Sequence, residues 1–139
     1  MVIDTSALVA ILCDEPEAPA FEAAIDADPV RLLSAASLVE ASIVLETRYG
    51  DAGGRELDTL VHKARFGVVP VSAEHAELAR IAYRQFGRGR HPAGLNYGDC
   101  FSYALSIATG EPLLFKGDDF SRTDVQVASL ASLSQDGPA

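Results

Sequence analysis

The chain has 139 residues, of which 48% are hydrophobic and 22% charged, with a formal net charge of −9. At roughly 100–200 residues per domain this is one domain with a core of its own, and the composition excludes a disordered or fibrous chain. The acidic balance excludes indiscriminate binding to nucleic acid or anionic membrane, and no apolar run approaches the ~18 residues of a membrane span.

Residues 1–4, Met-Val-Ile-Asp, read as a short strand ending in a polar cluster, and residues 7–13 as an apolar helix. No basic segment or small-residue cleavage site accompanies them, which predicts a cytoplasmic chain. Pro16 and Pro19 open a second helix, with Phe21, Ala24 and Ile25 at i, i+3, i+4 spacing. Residues 30–33 predict a buried strand. A helix over 36–49 then carries Leu38, Val39, Ser42, Ile43 and Leu45, and Gly50 stops it. A turn across 51–54 leads to a further helix with Leu57, Leu60, Val61 and Ala64, and Pro70 within the strand at 68–71 marks an edge or a strand end.

Ser72 caps a helix running to Phe86, with Ala76, Leu78, Ala79, Ala82 and Tyr83 as its apolar stripe. Residues 87–94 form a loop, 97–109 a helix closed by Gly110, and 113–115 a buried strand. A turn over 117–119 and a short strand at 125–127 complete the pattern. Residues 1–131 make a single domain, with 132–139 as a flexible tail. The two cysteines, Cys13 and Cys100, make neither a disulfide framework nor a zinc spacing, so buried reduced thiols are expected.

Strands alternating with helices predict an α/β fold, a mostly parallel central sheet of four to five strands flanked by helices on both faces. In such sheets ligands gather beyond the carboxyl ends of the strands. Acids stand at those places: Asp4 closes the first strand, Glu40 lies in the first turn of the 36–49 helix, Asp99 follows Asn96, and Asp118 and Asp119 follow the 113–115 strand. Each alone has a capping explanation, with Asp4 capping the first helix and both Ser37-Leu-Val-Glu40 and Asn96 with Asp99 matching a capping box. Capping tolerates these acids one by one but does not require them to converge on one sheet edge. Converging carboxylates raise one another's pKa unless a cation compensates, and oxygen-only ligation selects a hard ion, Mg²⁺ or Mn²⁺, suited to phosphate-bearing substrates.

Four segments carry a resemblance. Val2-Ile-Asp-Thr-Ser6, Ser37-Leu-Val-Glu40, Leu95-Asn-Tyr-Gly-Asp-Cys-Phe-Ser-Tyr-Ala-Leu105 and Leu113-Leu-Phe-Lys-Gly-Asp-Asp-Phe120 resemble the PIN domain, and more narrowly the VapC-type toxins of bacterial VapBC toxin–antitoxin pairs. The resemblance implies an α/β/α sandwich and a Mg²⁺-dependent endoribonuclease that hydrolyses RNA phosphodiesters to 5′-phosphate and 3′-hydroxyl ends and inhibits translation and growth. It also implies a homodimer and a VapB-type antitoxin whose carboxyl-terminal segment enters the active site.

Carried over residue by residue, Asp4, Glu40 and Asp99 match the acidic core. Asp4 and Asp99 stand as direct metal ligands, and Glu40 binds the metal through water or orients the attacking water. Ser6 matches a small hydroxyl residue of the site. Many members read Thr-x-Asp where Phe115-Lys-Gly117 stands here, which leaves Asp118 or Asp119 as the fourth acid, Asp119 favoured by its spacing to Phe120.

Arg80, Arg84, Arg88, Arg90 and His91 form the one basic run, either a solvated face or a phosphate-gripping rim in which Arg84, Arg88 and Arg90 contact RNA. Lys116 either touches the scissile phosphate or pairs with Asp118. Tyr97, Phe101 and Tyr103 read as core aromatics. The apolar surface of 38–45 and 57–61 packs inward, with a remainder left exposed for a partner. The histidines lack ligand spacing and the serines lack a GxSxG elbow, which disfavours a zinc or serine hydrolase. Two rival readings are a non-catalytic RNA- or antitoxin-binding module and a receiver-like signalling domain. The latter needs adjacent acids after the first strand, which Asp4-Thr5-Ser6 does not supply.

Overall fold

The computed structural model describes residues 1–130; the expected tail at 132–139 lies outside the described residues. Four short strands, β1 (Val2–Ile3), β2 (Leu32–Ser34), β3 (Gly67–Val69) and β4 (Leu113–Leu114), pair in the order β3-β2-β1-β4, all parallel. Val2 is the register point, opposite Leu32 on one side and Leu113 on the other. Successive strand residues point to opposite faces. Val2, Leu32 and Leu113 therefore enter one core with Leu95, Tyr103 and Leu105, while Ile3, Leu33 and Leu114 enter the other with Leu8, Phe21 and Leu45.

Six helices cover the two faces. α1 (Thr5–Leu12), α2 (Ala18–Ala27), α3 (Ala35–Tyr49) and α4 (Asp51–Lys63) contribute to the second core, and α5 (Ala73–Phe86) and α6 (Tyr97–Thr109) to the first. The three-layer α/β/α fold and parallel sheet expected from the strand–helix alternation are present. β3 lies at the sheet edge, and the strand expected at 68–71 runs instead from Gly67 to Val69, ending before Pro70.

Three local expectations change. Residues 125–127 make no strand: Val127 forms a single parallel bridge to Leu113, because two-residue β4 offers no longer ladder. The strand expected at 30–33 begins at Leu32, because Arg31 turns aside to bond the carbonyls of Asp28 and Ala64. The turn expected at 51–54 is helix, with Gly50 alone as the joint between α3 and α4.

Gly53 explains that continuity. A Cβ there would run into the backbone carbonyl of Leu45, so only glycine allows the two helices this approach. Gly53→Ala is expected to lower stability by about 2 kcal/mol, overpacking outweighing the ~1 kcal/mol of helix propensity that alanine brings. Thermal unfolding followed by circular dichroism should show a Tm lower by roughly 5–10 °C. An unchanged or higher Tm would contradict the close packing of α3 on α4.

Candidate active site

The acids stand where parallel strands hand over to helices. β1 ends at Ile3, and Asp4 caps α1 by accepting from the Ser6 N–H at 3.0 Å through Oδ2. Its other oxygen accepts from the Ser102 hydroxyl at 2.5 Å, and Ser102 is in turn 3.2 Å from the Ser37 hydroxyl. Asp4, Ser37 and Ser102 are all buried. Sequence reading took Ser37 only as a cap and did not single out Ser102, though the signal is there: Ser102 follows Asp99 by three residues on α6, and Ser37 precedes Glu40 by three on α3.

Asp99 opens α6 in a reciprocal capping box, its carboxylate accepting from the Asn96 N–H at 3.0 Å and its own N–H donating to Asn96 Oδ1 at 2.9 Å. It is also the electrostatic centre of the cluster. Burial, with the neighbouring charges of Asp4, Glu40 and Asp119, pushes the Asp99 carboxyl up to about 7 against the capping bond. Capping and convergence thus coexist in one residue.

Ser37 and Glu40 make no capping box, since Ser34 caps α3 by accepting from the Ala36 N–H. Glu40 consequently sits in the second turn rather than the first. Its carboxylate lies over Gly98, where a Cβ would overlap it. Asp119 acts on Asp99, whereas Asp118 is not among the charges that do; the Asp118 carbonyl accepts from Ser121 at 2.6 Å.

Ser6 ties the site's floor together, its hydroxyl accepting from the Lys116 N–H at 2.9 Å. The Lys116 side chain does not pair with Asp118. Its ammonium pairs with Glu15 and with Glu17, at 3.3 Å for the latter, because the α1–α2 connection brings both glutamates under the end of β4.

Two other expectations are corrected. Tyr97 is not core but 80% exposed, because the capping box places it on the outer side of the first turn of α6, while Tyr103 is buried as expected. Cys13 is only half-buried at the end of α1. Cys100 is buried, and burial together with the Asp99 charge pushes its thiol up to about 11, which rules out a ready nucleophile.

The cluster is an open set of carboxylates short of positive charge. Among the described residues no Lys or Arg lies within ion-pair distance of Asp4, Glu40, Asp99 or Asp119. Nor, among them, do three acid, His or Cys side chains close into a finished ligand shell. An open set of carboxylates with no internal counter-charge fits a hard divalent cation that retains water.

The description PIN domain matches residues 1–126. The chain belongs to the PIN-domain family. Among its relatives, a protein named ribonuclease VapC from Mycolicibacterium smegmatis is 61% identical over 125 residues, covering 90% of this chain and 97% of the relative. Solved structures share the fold. VapC20 of Mycobacterium tuberculosis, described as a sarcin–ricin loop cleaving toxin, superposes with a TM-score of 0.77 at 18% identity, covering 94% of this chain and 98% of that one. A chain of VapBC2 from Rickettsia felis, bound to a promoter DNA fragment, gives a TM-score of 0.66 at 15% identity over 91% of this chain and 94% of that one. This places the PIN domain here within the VapC group and sets aside the receiver-like alternative.

Proposed function

We propose that this PIN domain is a Mg²⁺-dependent endoribonuclease, with Mn²⁺ as a substitute, and the toxin of a toxin–antitoxin pair. The observation that carries this reading is the convergence of Asp4, Glu40 and Asp119 on Asp99 with no cationic side chain among them. Asp4 and Asp99 would hold the ion, with Asp119 reaching it directly or through water and Glu40 through water alone. When bound, the ion lowers the pKa of a water and offsets charge on the departing oxygen of a phosphodiester.

The chain's own groups do the rest. Ser102 and the Ser6 N–H fix both oxygens of Asp4, and the Asn96 N–H fixes Asp99. Such outer bonds orient ligands. Glu40, over Gly98, accepts the proton of the attacking water.

The proposal extends to partners. Val39 and Ile43, 58% and 60% exposed on the outer face of α3, support a protein partner such as a VapB-type antitoxin or a second copy in a homodimer. The growth-inhibiting action belongs to the cytoplasm, where RNA is encountered during translation. No helix among the described residues is long and apolar enough to cross a membrane.

Mg²⁺ binding tests the cofactor assignment, and its pH dependence has a definite sign. Folded Asp99 holds its proton up to about pH 7, whereas an unperturbed aspartate releases it near 3.8. The folded state therefore binds more protons than the unfolded one in that window, and metal-free stability falls as pH rises from about 4 to about 7. Mg²⁺ binds the ionised carboxyl and cancels the fall. Thermal shifts at saturating Mg²⁺ should be larger at pH 8 than at pH 5.5, and calorimetry near pH 6.5 should detect proton release on binding. Equal shifts at both pH values would sink the assignment of Asp99 as a ligand.

A further inference from the structure

Beside the acids, α5 and the first turn of α6 enclose an open groove of about 760 Å³. Its floor is small, made by Ala76, Ala79 and Cys100, and its walls are the aromatic rings of Tyr83, Tyr97 and Phe101. Tyr97 and Phe101 meet edge to face at 4.9 Å and 78°, which holds the Tyr97 ring in place while leaving it 80% exposed. Arg80, Arg84 and Arg88 line the groove at four-residue intervals. Glu77 pairs with Arg80 at 2.7 Å, but among the described residues no carboxylate pairs with Arg84 or Arg88.

We propose that this groove is a single-stranded RNA subsite, in which a nucleobase flanking the cut stacks on Tyr97 while Arg84 and Arg88 hold the adjacent phosphates. The inference rests on the ribonuclease reading and adds where the strand lies. Two observations favour RNA over a protein occupant. An unpaired arginine edge on a chain of net charge −9 is complementary to a polyanion. Asn96 lines the groove and is bonded reciprocally to Asp99, so the groove borders the acids. Exposed aromatic rings with neighbouring arginines are the usual platform for unpaired bases.

The test is affinity for a fluorescein-labelled single-stranded RNA of about twelve nucleotides, with Ca²⁺ replacing Mg²⁺, alongside cleavage kinetics in Mg²⁺. Tyr97→Ala should weaken binding about tenfold, and Tyr97→Phe should restore it, because stacking needs the ring and not the hydroxyl. The Arg84→Gln/Arg88→Gln pair should lower the slope of log affinity against log salt by about 1.4. In cleavage, Tyr97→Ala should raise KM by a similar factor with kcat changed by less than about threefold, and should broaden the set of cut sites. Unchanged affinity, salt slope and cut sites in all variants would overturn the proposal. So would a Tyr97→Ala chain that keeps its RNA affinity but falls apart from a dimer or an antitoxin, which would mark a protein interface. Failure of the wild-type chain to cleave any RNA would count against the ribonuclease reading, while ring-dependent binding would still support the groove.

Discussion

Asp99→Asn is expected to abolish RNA cleavage and, without metal, to make the protein more stable. The amide keeps the shape of the carboxyl and can still accept from the Asn96 N–H, so the start of α6 is retained. What it removes is the negative charge that burial and the charges of Asp4, Glu40 and Asp119 disfavour. Loss of a direct ligand should lower cleavage by on the order of a hundredfold or more. In EDTA at pH 8 the variant should gain on the order of 1 kcal/mol, after allowance for solvent screening of the partly exposed group, and melt roughly 3 °C higher. At pH 4 wild type and variant should melt together, since Asp99 is then protonated in the folded state. A variant that loses stability at pH 8 would show that the acids are held by something other than mutual repulsion awaiting a cation.

Gly98→Ala should separate activity from folding. Gly98 lies in the first turn of α6, and a Cβ there would occupy the position of the Glu40 carboxylate. That carboxylate ends a flexible side chain, so it can swing away at little cost, and alanine suits a helix better than glycine. Stability should therefore change by less than about 1 kcal/mol. Cleavage should fall by on the order of a hundredfold, because Glu40 no longer faces Asp99 to receive the water's proton. Mg²⁺ affinity should fall by much less, about tenfold or below, since Asp4 and Asp99 are untouched. Full activity in Gly98→Ala would remove Glu40 from the mechanism; an unfolded variant would mean that Glu40 is locked in place by packing.

The pattern of these effects reflects what a sequence can encode locally. The helix at 97–109 was legible to the residue because both its ends are written in side chains: Asn96 and Asp99 form the cap and Gly110, at φ +72°, ends it. The strands were legible as short apolar runs, but Val125–Val127 was not separable from them, since a single bridge and a true strand differ only in what the neighbour offers. Gly53-Gly54 reads as a turn in any local treatment; only the approach of α3 explains why it is helix.

At the site, the acids were legible individually and their convergence was an inference from topology. The supporting serines were not, because a buried serine carries no local mark until its partner, here the Asp4 carboxylate, is known. Tyr97 was assigned to the core by its aromatic character, whereas its place in the first turn of α6 turns it outward. Lys116 was expected to face phosphate or Asp118 because sequence shows only near neighbours; Glu15 and Glu17, a hundred residues away, come into reach only through the fold.

The central claim is that this acidic cluster cuts RNA with a bound divalent cation. Purified chain, free of any antitoxin, should be incubated with total cellular RNA in Mg²⁺, with and without EDTA, beside Asp99→Asn, and the ends of the fragments mapped. The account predicts discrete fragments bearing 5′-phosphates, lost in EDTA and in Asp99→Asn. Fragments that persist under both conditions, or no cleavage by the wild-type chain in either Mg²⁺ or Mn²⁺, would contradict it.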